Sequence, residues 1–339
     1  MKILFYGDSH LRETSSYPLF NRIQENGLTG ELNNILLGFD FIEQQIIQHE
    51  PDLVVNLGDT YHKDNYVSIR TLYGASIGLG KVFTACNNLN IDHLIIAGNH
   101  DIFSIFDDGS RLSSICTLEA YGVIVTENMY YNLGKKNDYR IFMVPHTDNL
   151  EEAYQGIMEG RGYDLMAVHL DFLGAVHDNN HPVEHGLDPH IGVPVICGHI
   201  HLHQEVFDIC HPGSLVQNRF TRECLEDAGG IMIYDTDTGR KVLIQNNLSR
   251  HFIKVRDLNV LQGLDPDRCI LKIFSDIPEG DVKDLLEGFE YMYITTKSKE
   301  EGVNSTYIRH EIDKPEALLR AYIKEDKPEF VDLYDEVMR

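Results

Sequence analysis

Positive charge is what this 339-residue chain has least of: 29 lysines and arginines stand against 53 aspartates and glutamates, a formal net charge of −24. A protein that grips duplex DNA with its own surface displaces counterions from phosphates, and that takes lysine and arginine. Any nucleic-acid contact must therefore come through bound cations, a local basic patch or a partner chain. Long apolar runs are missing too. None approaches the roughly 20 residues of a membrane-spanning helix, so no membrane is expected among the partners. The six cysteines (Cys86, Cys116, Cys197, Cys210, Cys224 and Cys269) form no C-x-x-C pair. With no signal peptide to be read, this points to reduced thiols and a cytoplasmic protein. Low-complexity tracts and internal repeats are also lacking. The hydrophobic content, 42%, is that of a globular chain long enough for more than one domain.

What the chain does have is an ordered series of carboxylates and imidazoles. The order is Asp8-x-His10, Gly58-Asp59, Gly98-Asn99-His100-Asp101, His169, then Gly198-His199-Ile200-His201. Most members follow a short apolar run that reads as a strand: Lys2 to Gly7, Leu53 to Leu57, Leu94 to Ala97, Leu165 to Val168 and Val193 to Cys197, with a further strand at Arg140 to Val144. Between the first three lie helical patterns, Ile35 to Ile47 (with Pro51 after it) and a helix from the cap Ser68 to about Cys86. Strand–helix–strand repetition predicts a parallel sheet with helices on its faces, and ligands of such sheets sit beyond the carboxyl ends of the strands.

Residues 12 to 34 are polar and mixed, and read as a long loop beside the site. After Gln204, short strands and a turn at Asp235-Thr236-Asp237-Thr238-Gly239 give a β-rich second half. From about His251 the character changes. Strands at Phe252 to Val255, Cys269 to Phe274 and Tyr291 to Thr295, with a helix near Val282 to Leu286, make a small α+β domain. Residues 298 to 305 read as a linker, and Pro315 to Met338 carries two short amphipathic helical patterns.

The series supplies ligands for two divalent metals. Asp59 is the natural bridge. Asp8, His10 and His201 complete one ion, and Asn99, His169 and His199 the other. Mixed nitrogen and oxygen ligation fits Mn, Fe or Zn. A pair of adjacent cations suits in-line displacement at phosphorus, so phosphoester hydrolysis is the expected chemistry. Two histidines remain outside the ligand set. His100, beside a ligand, can reach the scissile phosphate, stabilise charge or protonate the leaving oxygen. Asp101 either orients the His100 ring or caps the next helix, and the two roles are compatible. His62 lies three residues after Asp59, at the rim. Six more histidines between His169 and His211 (His177, His181, His185, His190, His203 and His211) exceed what two metals need and read as surface loop.

These motifs resemble the calcineurin-like metallophosphoesterases. Within them the chain is similar to the SbcD-type nuclease subunits of the double-strand-break repair nuclease–ATPase complex. Gly58-Asp59-Thr60-Tyr61-His62 has the histidine of that branch, where serine/threonine phosphatases show G-D-x-x-D-R-G. His211-Pro212-Gly213-Ser214-Leu215 resembles the branch's aromatic-Pro-Gly-Ser segment. Glu184-His185-Gly186-Leu187-Asp188-Pro189 is similar to tailed-phage recombination endonuclease subunits.

The resemblance implies an α/β sandwich of two mixed sheets flanked by helices over residues 1–250. It further implies a DNA-facing capping domain over 251–297, and over 306–339 a helical docking segment for a coiled-coil ATPase subunit of SbcC type. It implies manganese as the metal, catalytic roles for His62 and His100 beside Asp101, DNA as substrate, 3′–5′ exonuclease and single-strand endonuclease activity, and a homodimer. The loop over 12–34 is longer than the family's usual one. Two rivals stay open: a phosphatase or phosphodiesterase acting on small substrates, and a DNA-end-binding scaffold subunit with little catalysis. The tail helices either dock the ATPase or pack on the chain's own core.

Overall fold

Strands that are apolar at every position have both faces buried, and here they stack into two sheets. The computed structural model describes residues 1–15, 18–62, 66–105, 111–134, 138–151, 157, 162–177, 181–217 and 229–295. The strands of the first half are β1 (Lys2–Tyr6), β2 (Leu53–Asn56), β3 (Asp92–Ile96), β4 (Ile102–Ile105), β5 (Arg111–Ser113), β6 (Val123–Val125), β7 (Met129–Leu133) and β8 (Tyr139–Val144). Then come β9 (Leu165–Val168), β10 (Val195–Cys197), β11 (Gln204–Val206), β12 (Ile209–His211), β13 (Gly230–Asp235) and β14 (Lys241–Gln245). One sheet runs β14-β13-β1-β2-β3-β6 and the other β11-β12-β10-β9-β8-β7. Both have a parallel centre, with antiparallel pairing at one margin of the first sheet and at both margins of the second.

Alternation along the strands sorts side chains between layers. Ile3, Phe5, Leu53, Val55, Leu94 and Ile96 meet Ile141, Met143, Leu165, Ala167 and Ile196 between the sheets. Leu4, Tyr6, Val54 and Ile95 point the other way, to the helices α1 (Gly30–His49) and α2 (Ile69–Leu89). Thr29 caps α1 by accepting the Leu32 amide at 3.2 Å, and Ser68 caps α2 by accepting the Thr71 amide at 3.1 Å. α1 begins five residues before the expected Ile35. Its polar first turns hid it, because Glu31 and Asn34 are buried there with partners: Arg12 pairs with Glu31, and Asn34 Oδ1 accepts the Arg250 amide at 2.7 Å. The rest of the 12–34 segment holds a 3-10 turn, Pro18–Asn21, that buries Phe20.

The segment after Asp101 departs from expectation. It is the strand β4 paired with β5, not a helix, so Asp101 caps no helix. Further on, β15 (His251–Val255), β16 (Cys269–Ser275) and β17 (Glu290–Thr295) form an all-parallel sheet in that order. One face is covered by α3 (Glu279–Val282) and the turns around it; the other packs Phe252 and Ile270 on Phe20. These strands belong to the same compact unit, Met1–Thr296, as the sandwich. The linker and tail helices expected beyond 297 lie outside the described residues.

Candidate metal centre

Five strand ends deliver the candidate ligands to one place. Asp8 and His10 follow β1, Asp59 follows β2, Asn99 follows β3, His169 follows β9, and His199 and His201 follow β10. The loops turn sharply enough that Asp8 (φ 51°), His10 (46°), Asp59 (50°) and His199 (77°) all adopt left-handed backbone. Such residues cost on the order of 1–3 kcal/mol each and persist only where their surroundings hold them. Here they are held: the Asp8 amide donates to Gly58 O and the His10 amide to Asp59 O, both at 2.9 Å. Gly98 explains one motif glycine, since a Cβ there would sit 2.2 Å from Asp59 Oδ1. Gly198 explains another, with Leu57 O at 2.6 Å.

The donor atoms gather in two groups that share Asp59. In the first, His10 Nε2 lies 2.9 Å from His201 Nε2 and 3.7 Å from Asp59 Oδ2, while His201 Nε2 lies 3.9 Å from Asp8 Oδ1. In the second, Asn99 Oδ1 is 3.0 Å from His169 Nε2 and 2.9 Å from His199 Nδ1, and Asp59 Oδ1 is 3.5 Å from His169 Nε2. The two oxygens of Asp59 thus face different groups. Lone-pair atoms crowd together in this way around cations.

Electrostatics agrees. Asp8 and Asp59 are both almost wholly buried. Burial and then the charge of Asp59 push the Asp8 carboxyl well above its usual range. Burial pushes Asp59 up as well, but His169, His10 and His100 outweigh it and hold the group below the usual carboxylate range. Burial also pushes the His10 imidazole well below its usual value, toward the form that bears a lone pair. Two buried carboxylates among clustered imidazoles form a donor set that fits two divalent cations, whose charge offsets the desolvation.

His62 and His100 lie on one side of His10, their rings stacked at 5.4 Å and 14°. The His100 amide donates to Asp59 Oδ1 at 2.8 Å. Asp101 takes a different place from the one expected. It is fully buried, and its carboxylate accepts the amides of Tyr61 (3.0 Å), Gly98 (3.0 Å) and Thr60 (3.2 Å) instead of orienting the His100 ring. Burial and the Asp59 charge push it up to about 8, against amides that favour the ionised form. It ties the loop after β2 to the loop after β3.

Two groups at the centre carried no motif and escaped the sequence reading. His146, after β8, stacks on His199 with centroids 6.0 Å apart. Asp171, two residues beyond His169, places Oδ2 3.2 Å from His199 Nε2. Of the surplus histidines, His177 comes within 3.8 Å of Asp171, whereas His190 is exposed and paired with Asp188. His211 is fully buried, not a surface-loop residue, and burial pushes it down to about 4.

A two-sheet α/β sandwich with Asp, Asn and His converging at its strand ends defines a dinuclear metal hydrolase. The chain belongs to the calcineurin-like phosphoesterase family, whose model matches residues 1–203, and metal-dependent phosphoester hydrolysis follows from that membership. Among solved structures it is similar to Yfce, a phosphoesterase from E. coli, at 16% identity and TM-score 0.35, covering 74% of this chain and 95% of that one. It is similar to a dimetal phosphatase from Danio rerio at 12% identity and TM-score 0.36, covering 68% and 91%. It is also similar to the Pseudomonas putida nuclease MPE at 14% identity and TM-score 0.30, covering 71% and 87%. At these TM-scores none of the three bears on substrate. No curated protein matches the chain.

Proposed function

We propose that this chain is an SbcD-type nuclease subunit, a manganese-dependent DNA nuclease. Its activities are 3′–5′ exonuclease and single-strand endonuclease, and it acts with a coiled-coil ATPase subunit in DNA end processing and recombination. The observation that carries this reading is the placement of His62 beside His100 and His10, three imidazoles whose ring nitrogens gather within 4.8 Å. When bound, two adjacent cations polarise phosphoryl oxygens and make water a better nucleophile.

The chain's own groups do the rest. Asp8, His10, Asp59, Asn99, His169, His199 and His201 hold the ions. His62 positions the phosphate. His100, tethered through its amide to Asp59, delivers a proton to the departing sugar oxygen. A local basic patch supports nucleic acid as substrate: Lys254 and Lys272 are register neighbours on β15 and β16, and Lys272 and Arg256 lie over the Phe274 ring at 5.6 and 5.2 Å. Cations interleaved with an aromatic suit a phosphate backbone with stacked bases. The acidity of the remainder makes the ATPase partner necessary for duplex binding, with residues 306–339 as its docking segment and a homodimer as the assembly. The protein acts in the cytoplasm, that of the host cell if it is phage-encoded.

The test offers the purified chain, with manganese, an end-labelled duplex, a circular single strand and a small aryl phosphodiester. Cleavage of the circular single strand by the chain alone is expected, and of the duplex once a coiled-coil ATPase subunit is added. Turnover of the small ester alone would overturn the proposal. Co-purification with a coiled-coil ATPase, lost on deleting 306–339, tests the partner.

A further inference from the structure

A histidine that ligates a metal through one ring nitrogen has a second nitrogen whose partner sets the tautomer and the ring's angle. For His199 that partner is Asp171. His199 Nδ1 faces Asn99 Oδ1 at 2.9 Å and His169 Nε2 at 3.3 Å, while Nε2 faces Asp171 Oδ2 at 3.2 Å. With a carboxylate accepting at Nε2, the ring proton stays there and the Nδ1 lone pair is left for the cation.

Asp171 is itself well placed to hold a direction. Leu170 and Phe172 on either side are fully buried, which pins the backbone. Asp171 O accepts the Leu187 amide at 2.9 Å, and Leu173 donates back to Leu187 O at 2.9 Å. Gly186 lets this strap approach, since a Cβ there would lie 2.9 Å from Asp171 O. The second carboxylate oxygen, Oδ1, is buried with no hydrogen bond among the described residues and has His177 Nε2 at 3.8 Å. The histidine-rich stretch after β9 therefore reaches the centre through Asp171.

We infer that Asp171 is a positioning residue for the second cation: it fixes the tautomer and orientation of His199, and the segment 183–187 fixes Asp171. The inference rests on the two-cation reading of the centre. Outer partners of this kind are worth about 10–100-fold in ion affinity.

The test titrates manganese(II) alone into the full chain by calorimetry, and follows the exchange-coupled pair by electron paramagnetic resonance. Asp171→Asn keeps the side chain's shape and removes its charge. It should weaken one of the two ions about 10–100-fold and replace the coupled signal by a mononuclear one at concentrations that saturate the wild type. Asp188→Asn, next to that segment but paired with exposed His190, should bind both ions as the wild type does. Equal loss in that control would mark a general disturbance of the loop and overturn the inference. Asp171→Asn that binds both ions as tightly as wild type would overturn it too, while leaving the two-cation reading intact. A wild type that binds fewer than two ions would overturn both. Should Asp171→Asn fail to fold, Asp171→Glu decides: retention of the coupled signal at a raised manganese requirement supports the role, and wild-type affinity overturns it.

Discussion

The two halves of the centre use the same kinds of side chain and are braced differently. In the half built from Asn99, His169 and His199, the outward ring nitrogens meet oxygen: His169 Nδ1 lies 2.8 Å from Leu57 O, and His199 Nε2 lies 3.2 Å from Asp171 Oδ2. In the half built from Asp8, His10 and His201, the second nitrogen of His10 faces another ring nitrogen, His62 Nδ1, at 3.4 Å. An oxygen can only accept, so it fixes the tautomer. An imidazole can accept or donate, so the His10 tautomer depends on the state of His62. The first arrangement suits a cation held tightly; the second couples a cation to a residue at the open rim.

Removing the group both halves share should erase the difference. Asp59→Asn is expected to weaken both ions by more than ~100-fold, beyond the effect of an outer partner, as calorimetry with manganese would register. His100→Ala should act on chemistry and spare the ions. Turnover should fall ~10²–10⁴-fold, the usual worth of a general acid, with ion stoichiometry unchanged; a variant that loses an ion would contradict the assignment. Separating the halves sharpens the comparison. His169→Ala should remove the tighter of the two wild-type binding steps and His201→Ala the weaker one, and the reverse order would refute the bracing argument.

Smaller effects belong to the scaffold beneath both halves. Asp101→Ala strands three buried amides, and should lower unfolding stability by roughly 2–4 kcal/mol, read from the denaturant midpoint. The smallest effect is a pH dependence. His93 is buried, with Nε2 2.9 Å from Tyr6 Oη and Nδ1 2.8 Å from Tyr121 O, and burial pushes it down to about 4; His211 is likewise pushed to about 4. Above pH 6.5 both are neutral, folded or unfolded, and their contribution is complete. As pH falls from 6.5 toward 4 the unfolded chain takes up the protons first, so stability is lost across that window. The loss is roughly 1 kcal/mol per histidine by pH 5.5. Urea melts at pH 7 and 5.5 would register it, and His93→Gln should remove about half.

The strands that carry Asp8, Asp59, Asn99, His169 and His199 were legible because an apolar run ending in a glycine or a ligand is a local signal. Helix α1 shows in its apolar stripe, but its first turns do not, because Glu31 and Asn34 find their partners, Arg12 and Arg250, outside the helix. The extra length before Ile35 is invisible to periodicity alone. The neighbours of Asp101 are hidden from local pattern for a similar reason: amides it holds belong to Thr60 and Tyr61, 41 and 40 residues earlier.

The amino-acid order by itself determined which side chains could bind cations, since ligand chemistry is a property of residue type and the turns that expose them need glycine at fixed offsets. Only the tertiary structure decided which atom of each imidazole faces inward. That choice belongs to the oxygen or nitrogen waiting at the other side of the ring, on a segment that no local pattern connects to it.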